Sequence, residues 1–112
     1  MELKTKIWLE HGGRLVFGPG RAQLLRTVEE RGSISAAASA LEMSYRHAWS
    51  MIRASEQRLG RSLVQTRRGG SGGGGARLTD YARELLRRFE ETKKDVDDLT
   101  EETMEDIRDL AR

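Results

Sequence analysis

Arg46 and Arg53, with Trp49 and Ser50 between them, are the residues of this sequence best suited to chemistry at a nucleic-acid edge. A guanidinium pairs bidentately with guanine, serine and glutamine hydrogen-bond to base edges, and an aromatic ring can touch a thymine methyl. Placing Ala48 at 0° and turning ~100° per residue puts Met51, Ile52, Ser55 and Leu59 on one helical face. Arg46, Trp49, Ser50, Arg53 and Gln57 then fall together on the other side, with Tyr45 at the margin and Glu56 at the edge. The same outward face would also suit an ordinary solvated helix. Trp49 is open between the two sides, because tryptophan is usually largely buried.

A second basic element follows. Arg67 and Arg68 stand where a strand pattern, Leu63 to Thr66, leaves the body, and Arg77 stands where Ala76 to Leu78 returns. A loop of this kind behind a recognition helix lies along the sugar-phosphate backbone, where it supplies affinity and register but little sequence information. The competing reading is a surface loop with incidental arginines. The stretch Gly70 to Gly75 also matches G-x-G-x-x-G. It follows no βαβ strand and no Gly-Lys-Ser/Thr comes after it, so nucleotide binding is set aside. His11 and His47 lack any paired spacing for a metal, and no nucleophile is matched with a base and an orienting group. No enzyme activity, cofactor or metal is expected.

These candidates need a scaffold, and the chain punctuates one. Thr5, Ile7 and Leu9 alternate with Lys4, Lys6, Trp8 and Glu10, then Gly12-Gly13 and Arg14 to Phe17 complete a β-hairpin pattern. Gly18-Pro19-Gly20 opens a helix whose apolar face is Leu24, Leu25 and Val28, and Arg31-Gly32 closes it. Ser33 or Ser35 caps a short alanine-rich helix reaching Leu41, in which small side chains permit close helix approach. Glu42-Met43 makes a turn, with Met43 plugging the angle, and Ser44 caps a longer helix ending near Leu59-Gly60. After the wing, Thr79 caps a last helix on which Ala82, Leu85, Leu86, Phe89, Val96, Leu99, Ile107 and Leu110 recur at three- and four-residue steps. A gap at Thr92 to Asp95 breaks any strict heptad. The expected fold is mainly α with small β, in the order ββ-ααα-ββ-α. Residues 1–78 would form the DNA-binding part and 79–112 a long last helix, acidic at its end.

Composition narrows the partners. Residues 1–89 hold 16 Lys/Arg against 8 Asp/Glu, whereas residues 90–112 hold 4 against 10. A basic body points to a polyanion and an acidic tail to a solvated or partner-binding segment. Cysteine is absent, which fits a reducing compartment and excludes thiolate chemistry. No secretory pattern or run of ~18 apolar residues is present, so a cytoplasmic protein without membrane contact is expected.

The stretch Gly32-Ser33-Ile34-Ser35-Ala36-Ala37-Ala38 resembles the helix-turn-helix of LysR-type regulators. Ser44 to Trp49 and Thr66 to Thr79, with its glycine-rich wing, resemble the N-terminal domain of the molybdate-responsive ModE family over about residues 15–90. The resemblance implies a winged helix-turn-helix that dimerises through its last helix on a roughly palindromic operator in double-stranded DNA. It assigns Ser44, Tyr45, Arg46, Trp49, Ser50 and Arg53 to the recognition helix and Arg67 and Arg68 to the wing. Ser33 and Ser35, at the start of the preceding helix, complete the expected DNA-binding set. Family members that sense molybdate carry C-terminal oxyanion-binding domains, and the sequence ends at Arg112 in an acidic helix. The sensor is therefore not carried over, and a separate signal-sensing protein, constitutive binding or an unrelated signal are the alternatives. Glu42 stands where the LysR-type turn often has glycine. Two other functions compete with the regulator: an interaction module acting through the acidic helix, and an oxyanion sensor built from Arg67, Arg68 and the glycines.

Overall fold

The computed structural model describes residues 1–68 and 74–112. Its elements run β1 (Leu9–His11), β2 (Arg14–Phe17), α1 (Pro19–Arg31), α2 (Ile34–Ala40), α3 (Tyr45–Leu59), β3 (Val64–Arg67), β4 (Gly75–Leu78) and α4 (Asp80–Leu110). The expected ββ-ααα-ββ-α order is the observed one. Each strand pair is a separate antiparallel ribbon.

The first ribbon turns through Gly12 and Gly13, at φ 59° and 77°, the backbone that a two-residue hairpin loop requires. It is shorter than the alternation of Thr5, Ile7 and Leu9 suggests. Leu9 pairs with Phe17, and beyond Phe17 the partner chain turns into α1 at Pro19. Residues before Leu9 therefore have no strand to pair with, and they carry no regular structure.

Helix boundaries follow side-chain chemistry. Pro19 sits in the first turn of α1 and Gly32 closes it in the left-handed region at φ 78°. Ser33, Ser44 and Thr79 each accept a backbone N–H three residues on, from Ala36, His47 and Ala82 at 2.9, 3.0 and 3.1 Å. One core gathers β2, all four helices and the wing base: Val16, Phe17, Leu24, Leu25, Val28, Ile34, Ile52, Leu63, Leu78 and Leu86 are buried together with five alanines. Phe17 meets Phe89 edge to face at 4.9 Å and 79°, which pins the hairpin to α4. Burying such side chains contributes about 1.5–3 kcal/mol each.

Helix α4 outruns this core. The molecule measures 63 × 30 × 23 Å, and a 31-residue helix spans most of the long axis. Its first turns are fastened to α1 by Arg83–Glu29 at 3.1 Å and Arg26–Glu90 at 2.8 Å. Farther along, Arg87 and Arg88 converge on Glu84, and Lys93–Asp97 and Lys94–Asp98 follow at four-residue spacing. Hydrogen bonds from Arg87, then Arg88, hold the Glu84 carboxyl at about 2.

The turn between α2 and α3 contains Glu42 at φ 56°, the sole non-glycine residue of positive φ among the described residues. A side chain there costs about 1–2 kcal/mol of steric strain. Glycine at this position relieves that strain but is more flexible in the unfolded chain. Glu42→Gly is expected to raise stability by about 0.5–1 kcal/mol, read as a higher urea midpoint at unchanged slope. An unchanged or lower midpoint would contradict the strain argument.

Candidate nucleic-acid interface

The candidate interface is built on a close helix crossing. Ala37 and Ala38 of α2 and Ala48 of α3 are buried in the core, so the two helices meet where neither carries bulk. The chain leaves α2 by Met43 N–H donating to Ala38 O at 2.9 Å, and Met43 packs against the core as a plug. Ser44 then caps α3. Ala48, Ile52 and Ser55 are buried along its inner face, with Met51 and Leu59 half-buried beside them.

The outer face carries the residues singled out from helical phasing. Tyr45, Arg46, Trp49, Ser50, Arg53 and Gln57 are all exposed. Trp49 is 45% exposed and stands outside the core, and the Arg53 guanidinium lies over its ring at 5.5 Å. A cation on an indole face at an exposed site contributes about 0.5–1 kcal/mol, enough to bias both rotamers. Ser33 spends its oxygen on capping α2, whereas Ser35 is exposed in the first turn of that helix.

The wing strands pair in the register Val64↔Leu78, Gln65↔Arg77, Thr66↔Ala76 and Arg67↔Gly75. Arg67, Arg68 and Arg77 are exposed. Among the described residues, no carboxylate lies within 4.0 Å of these three or of Arg46. Residues 69–73, and with them most of the G-x-G-x-x-G stretch and of the glycine-based oxyanion site, lie outside the described residues. His11 and His47 are exposed on the hairpin and on α3. No group of three His, Cys, Asp or Glu gathers for a metal among the described residues, and no helix among them is long and apolar enough to cross a membrane.

Several positioning groups escaped the sequence reading. Glu56, placed at the edge of the outer face, turns out to be the bracket of the wing. Its Oε2 accepts from the N–H groups of Leu63 at 2.8 Å and Val64 at 3.2 Å, and its Oε1 accepts from Arg53 Nη1 at 3.3 Å. On the opposite strand, Glu29 Oε2 accepts from Leu78 N–H at 3.3 Å and the Gly32 carbonyl from Ala76 N–H at 2.8 Å. The three-residue spacing of Arg53 and Glu56 hints at their pair. The strand contacts of Glu56 reach past the end of its own helix to Leu63 and Val64, and those of Glu29 and Gly32 join distant parts of the chain, so helical spacing gives no sign of either.

Arg21 of α1 braces α3 from behind, its Nε donating to the buried Ser55 Oγ at 2.8 Å. Burial, and then the neighbouring Arg58, lowers the Arg21 pKa from its ordinary value. Arg21→Met leaves the buried hydroxyl without this donor and is expected to destabilise by about 1–3 kcal/mol, more than Ser55→Ala, which removes the stranded group itself. Chemical denaturation of the two variants and of the double variant checks the bond; losses that simply add in the double variant would show that the two side chains do not act together.

Residues 20–83 match the family described as bacterial regulatory helix-turn-helix protein, lysR family. Transcriptional regulator ModE of Haemophilus influenzae is 37% identical over 76 residues, covering 68% of this chain and 30% of that protein. Molybdenum transport protein ModE of Herbaspirillum seropedicae is 39% identical over 71 residues, 63% of this chain and 26% of that one. The chain thus spans about a third or less of the length of these curated relatives. Among solved structures, the DNA-binding domain in a CbnR–DNA complex superposes with a TM-score of 0.54 at 25% identity, over 83% of this chain and 97% of that one.

Proposed function

Because this chain belongs to the lysR family of bacterial regulatory helix-turn-helix proteins, we propose that it is a sequence-specific DNA-binding transcriptional regulator, acting as a homodimer. The observation that carries this reading is the outer face of α3. Arg46, Trp49, Ser50 and Arg53 stand exposed there with no core role, on a helix backed by α2 and flanked by an arginine-bearing wing. In this reading α3 enters the major groove, where Arg46, Ser50 and Arg53 read bases and Trp49 meets a thymine methyl. Tyr45 and the starts of α2 and α3, with Ser33, Ser35 and Ser44, face the phosphates. Arg67 and Arg68 follow the backbone. Residues 1–78 do the reading and 79–112 join the copies.

The dimer rests on α4. At ~100° per residue, Val96, Thr103 and Ile107 continue the stripe begun by Leu85 and Phe89, with Leu99 and Leu110 at its margin. Leu99 is 63% and Leu110 85% exposed in the single chain, and a second copy of the helix would cover them. Two recognition helices would then meet successive major grooves ~34 Å apart. The likeness to ModE proteins motivates molybdenum-related gene control, in the cytoplasm.

In-vitro selection from a random duplex pool tests the reading directly and would return a roughly palindromic site. Binding to that site should weaken steeply between 50 and 200 mM salt. Arg53→Ala should flatten the preference at one base position, whereas Arg67→Ala should weaken all duplexes about equally. A pool showing neither preference nor salt dependence would refute it. For the dimer, the double substitution Leu99→Asp and Ile107→Asp is expected to give a monomer in sedimentation and to lower operator affinity at least tenfold. A variant that stays dimeric would place the interface elsewhere.

A further inference from the structure

We infer that Glu56 is a specificity-determining positioning residue, which holds the Arg53 guanidinium and the first wing strand to one carboxylate so that base reading and wing placement are set together. The inference rests on Arg53 as a base reader.

The geometry is asymmetric in an informative way. Glu56 is nearly buried, its side chain 10% exposed, while that of Arg53 is 53% exposed. A carboxylate in that position holds its place because it is anchored on the protein side. Oε2 takes two strand amides, from Leu63 and Val64, with the Ser62 hydroxyl at 3.5 Å. The other oxygen, Oε1, takes one donor of Arg53, Nη1. A guanidinium carries five N–H donors in a rigid fork, so this single bond of 3.3 Å biases its direction and leaves donors for a base. Trp49, beneath the guanidinium at 5.5 Å, limits the remaining rotation. Arg53 is thus clamped between a ring and a carboxylate before any DNA arrives, and less side-chain freedom is lost when it binds.

The clamp also links two modes of recognition. Leu63 and Val64 lead into β3, which carries Arg67 at its end. A displacement of the wing that pulls these amides from Oε2 would disturb the same carboxylate that orients Arg53.

Glu56→Gln separates the roles. Its amide oxygen still accepts from the strand, but its N–H₂ would face Arg53 as a second donor in place of the acceptor. Base-preference profiles are measured for the full chain, Arg53→Ala, E56Q and the double variant, with duplexes drawn from the selected site. Arg53→Ala locates the position read by Arg53. E56Q is expected to lose about tenfold of the discrimination at that same position, with other positions unchanged and Leu63 and Val64 amides still protected from exchange. In the Arg53→Ala background E56Q should add no further loss.

A carboxylate that only caps the strand would instead weaken all duplexes alike or leave the profile unchanged, and either result overturns the inference. A silent Arg53→Ala removes the base-reading premise itself, and the inference with it. Glu56→Asp, shorter by one methylene yet still anionic, serves if E56Q folds poorly. It is expected to blur the same position, and an unaltered profile there would also overturn the proposal.

Discussion

The contact between α2 and α3 is the constraint to which the remaining geometry answers. Small side chains lie buried on both helices, Ala37 and Ala38 on α2 and Ala48 on α3. Close approach of this kind leaves no slack, since added methylenes in a filled core force backbone shifts costing about 1–3 kcal/mol. Only four residues, Leu41 to Ser44, join the two helices, and within that short connection Glu42 takes a positive φ of 56°.

A second layer of order is polar. An isolated two-stranded ribbon is marginal in water, and the wing is such a ribbon. Its base is stitched to the body on both edges by groups from different helices. Glu56 of α3 takes the amides entering β3, and Glu29 of α1 with the Gly32 carbonyl takes those of β4. Thr79 closes the ring, its N–H donating to Leu63 O at 2.9 Å and its hydroxyl to Ser62 O at 2.8 Å. The strand that follows α3 is therefore aimed by that helix.

Most of the scaffold was legible because it is locally encoded. Pro19 and Gly32 bound α1, Ser44 and Gly60 bound α3, and Thr79 starts α4, each through chemistry confined to one turn of chain. Helical phasing separated Ile52 and Ser55 from Arg46 and Arg53 for the same reason. The N-terminal strand is shorter than its pattern because alternation at Thr5, Ile7 and Leu9 cannot say whether a partner strand continues, and here the partner stops at Phe17. Trp49 could not be assigned from its type alone, since its exposure depends on how much of α3 the hairpin and α1 cover. Glu56 and Glu29 were invisible as brackets because they act on amides that only the tertiary fold brings near.

The ladder of ion pairs along α4 gives ionic strength two places to act. Arg87 and Arg88 are engaged with carboxylates of their own helix, as are Lys93 and Lys94 farther along, so the count of 16 Lys/Arg in residues 1–89 overstates the charge free to meet phosphate. Each such pair supports the helix by about 0.2–0.5 kcal/mol in a salt-dependent way, and at 0.1 M salt the screening length is only about 10 Å. Rising salt therefore loosens the distal helix while it also screens any polyanion. A slope of affinity against salt would then mix two quantities, counterions released from the nucleic acid and helix lost from the protein. The number of phosphates it seems to count would be an upper bound unless helicity were followed over the same range.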